Sequence, residues 1–179
     1  MKQELRGKQI ILRPVGFVDL IRSLYWLLFQ PEIKRFFTSV LNKDGRGWLL
    51  TIWNDRASRT FSFFVEENGE PVHVGGGGFT HIDFTTGVAE MGMVFGRKDS
   101  RGKGLGSDST NVLLEYAFDD LGLSKVIGRI VEENAASRAM CRHFGFQDVS
   151  LEQNAVKTSH GWENLVHVEV TRDTWKRGD

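Results

Sequence analysis

The segment KDSRGKGLGSDS, residues 98–109, sets Gly102, Gly104 and Gly106 at alternate positions between basic residues and hydroxyls. It follows directly on an apolar run and leads directly into a helical pattern. Few folds need so much bare backbone at a strand-to-helix junction. Backbone N–H groups and the positive end of the helix dipole converge there on the space above the turn, which suits an anion. Glycines let a phosphate approach the amides, while Arg97, Lys98, Arg101 and Lys103 place positive charge around the rim. A diphosphate fits this chemistry. A tight turn with solvated charges is the alternative that the segment alone leaves open.

The flanking pattern predicts a mixed α/β sheet. QIILRP, ending at Pro14, alternates as a strand does, and DLIRSLYWLLFQPEIKRFF carries apolar residues at helical spacing until Pro31 interrupts it. A second helix is expected over Gly47 to Ala57. TFSFFVEENGEPVHVGGGGFTHI reads as two strands joined by a turn at Asn68-Gly69, and GVAEMGMVFG as a third. After the glycine segment, Val112, Leu113, Tyr116, Ala117 and Leu121 form one helical stripe, with Gly122 placed as a C-cap. KVIGRIV is a short strand, NAASRAMCRHF a short helix, and the remainder a closing hairpin around HGW. The predicted order is β-α-α-β-β-β-α-β-α-β-β.

The 179 residues suit one domain spanning 1–179, and 23 basic against 23 acidic residues leave no net charge to serve a nucleic-acid or membrane surface. The longest apolar run near the N-terminus, Leu24 to Phe29, is far shorter than the roughly 18 residues a membrane span needs, so a cytoplasmic protein is expected. A lone cysteine, Cys141, rules out an internal disulfide, and five scattered histidines lack metal-ligand spacing.

Two phosphate-binding folds are excluded by the glycine spacing. A dinucleotide site needs G-x-G-x-x-G right after the first strand of a βαβ unit, whereas here the pattern is G-x-G-x-G and too few elements follow to complete a doubly wound sheet. A nucleoside-triphosphate loop would need Lys-Ser or Lys-Thr after the last glycine, which is missing.

Arg101-Gly102-Lys103-Gly104-Leu105-Gly106 resembles the pyrophosphate motif Gln/Arg-x-x-Gly-x-Gly/Ala of the GNAT superfamily of acetyl-CoA-dependent N-acetyltransferases, in particular its RimJ/RimL-like branch. ILRP, QPEIKRFF, AEMGMVF, LLEYAFDDLGLSKV, ENAASRAM and FGF extend the likeness over about Leu5 to Trp175. The resemblance implies a GNAT-like fold, with splayed central strands and helices on both faces, and acetyl-CoA as cosubstrate. It assigns cofactor binding to Arg101, Gly102, Lys103, Gly104, Gly106 and Ser107, and pantetheine contacts to the backbone of Val94 and Gly96, the Val94 N–H facing the thioester carbonyl. Asn134 matches the asparagine that bonds the pantetheine arm, although an asparagine before a helix is also an ordinary N-cap.

Amine acylation needs a neutral nucleophile. At neutral pH a lysine-like amine costs about 5 kcal/mol to deprotonate and an α-amine about 1, so a base helps in both cases. Glu90 matches the glutamate that serves this role through water in the RimJ/RimL-like branch; a surface carboxylate paired with a cation is the other reading. Where many superfamily members place a tyrosine as general acid, this chain has Cys141, a thiol able either to donate or simply to pack, with His143 a further candidate. The expected acceptor is a protein N-terminal α-amine, met in a groove bordered by Phe36, Phe37, Trp48, Trp53 and the segment from His160 to Trp162. A polyamine or aminoglycoside acceptor, and a CoA-binding module without turnover, are the alternatives. Either a monomer or a homodimer is compatible with the reading.

Overall fold

The computed structural model describes residues 4–30, 33, 57–158 and 161–178. Eight strands form one sheet in the order β1-β2-β3-β4-β5-β6-β8-β7. β1 (Leu5–Arg6) and β2 (Ile10–Pro14) precede helix α1 (Phe17–Phe29). β3 (Arg59–Glu67), β4 (Glu70–Asp83) and β5 (Val88–Phe95) then form a meander. A short 3-10 turn, Lys98–Ser100, leads into α2 (Leu105–Glu115), and β6 (Lys125–Val131), α3 (Ala135–His143), β7 (Gln147–Thr158) and β8 (Gly161–Thr171) follow. The mixed α/β expectation holds; the expected order is met from β2 onward except for the second helix, and the two-residue β1 was not expected. The expected helix over Gly47 to Ala57 lies outside the described residues except for Ala57. Among those described, no helix is long and apolar enough to cross a membrane.

Local chemistry explains most of these elements. The β3–β4 turn pairs Glu67 with Glu70 and puts Asn68 and Gly69 at φ 53° and 80°, the left-handed pair that a two-residue hairpin requires. α2 ends in one wider turn, where the Leu121 N–H donates to the Tyr116 carbonyl five residues back. That turn brings Phe118 into the core alongside Leu113, Leu114 and Ala117. Asp108, in the first turn of α2, accepts from the backbone N–H groups of Lys8, Gln9 and Ile10 at 3.0, 2.7 and 3.0 Å and ties the helix to the β1–β2 turn.

Helices cover both faces. Alternation along β3, β4 and β5 sends Phe61, Phe63, Val74 and Ala89 into the main core beneath α2 and α3. Alternation puts Phe64 and His73, paired just past a bulge at Val74, on the opposite face, where Trp26 of α1 lies 4.9 Å from the His73 ring. The Trp26 indole also packs over Gly96 so closely that a Cβ there would have no room.

The sheet has one discontinuity. β5 and β6 are its only parallel neighbours among the described strands, and they pair only over Val88–Lys125, Ala89–Val126 and Glu90–Ile127. Beyond those pairs β5 stays with β4 as far as Phe95, while β6 stays with β8 as far as Val131. A wedge opens between them, pointing at the glycine segment.

Candidate active site

The wedge is the centre of a cavity of about 530 Å3. One half is walled by Arg101, Gly106, Asn134, Ser137, Met140 and Cys141; the other by Thr60, Ser62, Gly76, Gly77, Gly78 and Glu90. Main chain from β5 and β6 lies between the two halves.

At the first mouth the glycines shape the loop. Gly102 and Gly104 take φ values of 72° and 79°, with Gly104 capping α2 in the left-handed conformation. The first α2 amide with a helical acceptor is that of Asp108, bonded to the Gly104 carbonyl at 3.0 Å, so the N–H groups of Leu105, Gly106 and Ser107 precede the ladder. The tight turn therefore leaves three amides outside the helical ladder at the cavity mouth. Ser107 is exposed in that first turn. Arg97 is committed elsewhere: it bonds Asp99 and reaches Glu67 at 3.1 Å, and these acids push its pKa upward. Asn134 lines the cavity and also caps α3, its side-chain oxygen accepting from the Ser137 N–H at 3.2 Å. Both sequence readings of Asn134 are thus compatible with its position.

The expectation for Val94 is corrected by backbone direction. The Gly96 N–H donates to Val74 of β4 at 2.9 Å, and Val94, two residues earlier and opposite Gly76, shares that orientation. Its N–H and carbonyl face β4, as does the Gly96 N–H. The main-chain groups directed into the wedge are those of the alternate residues, Met93 and Phe95.

Glu90 sits on β5 in the second half, 15% exposed, with Arg129 of β6 donating from Nε to Oε1 at 2.8 Å and from Nη2 to Oε2 at 3.2 Å. His81 Nδ1 stands 3.4 Å from Oε2. The carboxylate is therefore both cation-paired and cavity-facing, which the sequence offered as alternatives. Arg129 and His81 carry no local sequence signal for this role. Gly76 to Gly78, which also line this half, carry no such signal either. Cys141 lines the opposite half, and burial pushes its thiol from an ordinary 9.0 up to about 11. His143 lies exposed on α3 and is not part of the cavity wall. Phe36, Phe37, Trp48, Trp53 and His160 lie outside the described residues, and Trp162 is 61% exposed on β8.

A mixed sheet parted beside a glycine-rich helix start, with a carboxylate across the gap, defines an acyl-transfer domain of the acetyl-CoA-dependent kind. The family described as Acetyltransferase (GNAT) domain matches residues 9–147, and the chain belongs to it. An uncharacterized N-acetyltransferase p20 of Bacillus licheniformis is 34% identical over 156 residues, covering 83% of this chain and 85% of that protein. The human alpha/beta-tubulin-N-acetyltransferase 9 is 33% identical over 98 residues, 49% of this chain and 46% of that one. Among solved structures, a spermidine N-acetyltransferase from Vibrio cholerae in complex with CoA and spermine shares the fold with a TM-score of 0.80 at 18% identity, over 94% of this chain and 98% of that one. The protein is an N-acetyltransferase of the GNAT type, and its acyl donor is acetyl-CoA.

Proposed function

We propose that this enzyme acetylates a single primary amine, a protein N-terminal α-amine, by direct attack within a ternary complex, and that it belongs with the RimJ/RimL-like branch. The observation that carries the reading is the continuous cavity, which has the glycine-rich start of α2 at Gly106 in one half and the Glu90 carboxylate in the other. Bound acetyl-CoA supplies the activated acetyl group. Backbone amides of the first α2 turn hold its diphosphate, with Arg101 and Lys103 as counter-charges and Gly102 and Gly104 shaping the loop. Met93 and Phe95 offer main-chain groups to the arm, and a donor N–H there stabilises charge developing on the carbonyl oxygen.

Glu90 accepts the proton that makes the acceptor nitrogen nucleophilic. Arg129 holds the carboxylate in place through two bonds. Cys141 serves as wall: giving its proton to a thiolate of ordinary basicity would run uphill by about 3 kcal/mol, so the sulfur that leaves takes its proton from the attacking nitrogen or from water.

The charges lining the described part of the cavity favour an α-amine over a polyamine. One acid, Glu90, faces two bases, Arg101 and Arg129. A polycation would want several carboxylates; an α-amine followed by neutral peptide wants one. Mass spectrometry of products from a mixture of peptides, spermidine and aminoglycosides with acetyl-CoA tests this. Acetylated peptide N-termini are expected, and acetylated spermidine with untouched peptides would overturn the acceptor assignment. Calorimetry should show acetyl-CoA binding and none for NAD.

A further inference from the structure

Each turnover on an ammonium acceptor leaves one proton to dispose of: R–NH3+ and acetyl-CoA give the amide, free CoA thiol and H+. The N–C bond forms, the C–S bond breaks with its electron pair on sulfur, and of the two protons that nitrogen loses, one ends on sulfur. The other must leave a cavity whose lining is largely apolar. Glu90 takes it first, and it must be emptied before the next turnover.

β4 carries a bulge at the point where Glu90 needs a neighbour. Thr80 pairs with Glu90 and Asp83 with Val88, so His81 and Ile82 together oppose the single residue Ala89. His81 holds φ at 51°, a left-handed conformation that glycine commonly supplies at such a bulge. The conformation re-aims the ring. Nδ1 comes within 3.4 Å of Glu90 Oε2, while 69% of the side chain stays in solvent. Arg129 meets the same carboxylate, and nearby Asp83 is already turned to the backbone N–H groups of Thr85 and Thr86, at 2.8 and 3.3 Å. Among the described residues that meet this part-buried carboxylate, the imidazole is the one that lies mostly in solvent and can both take up and release a proton.

We propose that His81 is the proton exit of this active site, a positioning residue that acts through Glu90 and not on the substrate. The inference rests on the amine-acetylating reading above. Glu90 passes the acceptor's proton from Oε2 to Nδ1 and returns to carboxylate. The imidazole, protonated at both nitrogens, releases its Nε2 proton to water, and exchange with solvent restores the starting tautomer. A non-glycine residue in a strained bulge, with Nδ1 beside the catalytic carboxylate, is the arrangement such a route needs.

The test uses His81→Asn, since asparagine tolerates a left-handed backbone but cannot relay a proton at neutral pH, with His81→Ala as a second variant. Initial rates are measured on an acceptor that the parent acetylates. We expect kcat to fall about tenfold or more in both variants, the KM for acetyl-CoA to hold, and activity to return as imidazole is added to the buffer. Parental kcat in His81→Asn, a loss confined to His81→Ala, or a loss that imidazole does not relieve would each overturn the relay while leaving the acetyltransferase intact. A parent that binds acetyl-CoA yet acetylates nothing in the amine panel would overturn the proposed function, and this inference with it.

Discussion

Cys141 offers a quantitative test, because its burial has consequences both for stability and for turnover. The residue is 7% exposed, and its thiol is pushed from an ordinary 9.0 up to about 11, chiefly by burial, with Asp148 adding to the rise. Between those values the unfolded chain gives up the proton and the folded chain keeps it. Stability contributed by the neutral thiol is therefore complete below pH 9 and is lost as pH rises toward 11, a total of about 3 kcal/mol with roughly half gone by pH 10. Cys141→Ala abolishes this term but leaves a small void that costs about 1 kcal/mol at pH 7. The parent should then be the more stable at pH 7, and the two proteins should become nearly equal close to pH 10. Urea unfolding at pH 7, 9 and 10 reads the gap directly. A gap that stays constant across this range would refute the buried-thiol reasoning. In the same variant turnover should fall by less than about threefold, whereas an acid role predicts about ten- to a hundredfold. A larger loss at unchanged acetyl-CoA affinity would restore Cys141 to the chemistry.

Glu90→Gln should lower kcat about a hundredfold with the acetyl-CoA KM unchanged, the deficit shrinking at high pH as the amine deprotonates unaided; parental kcat would leave Glu90 only its pairing with Arg129. Gly106→Val should weaken acetyl-CoA binding about tenfold or more in calorimetry, because its Cβ would press on Met140 at 3.3 Å in the cavity wall and narrow the cavity. Gly106 is the right position for this because its backbone is ordinary, while substitution at Gly102 or Gly104 would add left-handed strain to any steric effect. Asp108→Ala removes the acceptor for three backbone N–H groups and should cost about 2–4 kcal/mol in urea unfolding, with part of the loss showing as a frayed β1–β2 turn.

What the sequence made legible was local. Asn68-Gly69 announces its turn because only two residues must agree, and Asn134 announces α3 because the cap bond spans three positions. The glycine segment was readable because strand, loop and helix run consecutively. Less was visible wherever distant segments meet. The closing hairpin inserts β8 beside β6 and leaves β7 at the edge, an order that periodicity does not carry. The partners of Glu90 come from a bulge on β4 and from Arg129, 39 residues away on β6. Val94 shows a subtler limit: alternation tells which face a side chain takes, but which edge its amide faces depends on the neighbour with which the strand stays paired. The wider turn at Tyr116–Asp120 also left no trace in the stripe, which predicted Tyr116 and Ala117 but passed over Leu114 and Phe118.

The parted sheet implies that free enzyme and loaded enzyme differ along β5 in an odd–even rhythm. Amides of Gly92, Val94 and Gly96 are directed at β4 whether or not acetyl-CoA is present, whereas those of Met93 and Phe95 are directed into the wedge, where the donor's arm is expected. Hydrogen exchange should slow at alternate positions when the donor is added, as though the arm were a ninth strand laid into the breach. The donor would thereby act as a mortar between two half-sheets joined by three parallel rungs. At a hundredfold excess over its Kd it would add about 3 kcal/mol to global stability. Resistance of this enzyme to unfolding and to proteolysis would then rise and fall with the concentration of acetyl-CoA around it.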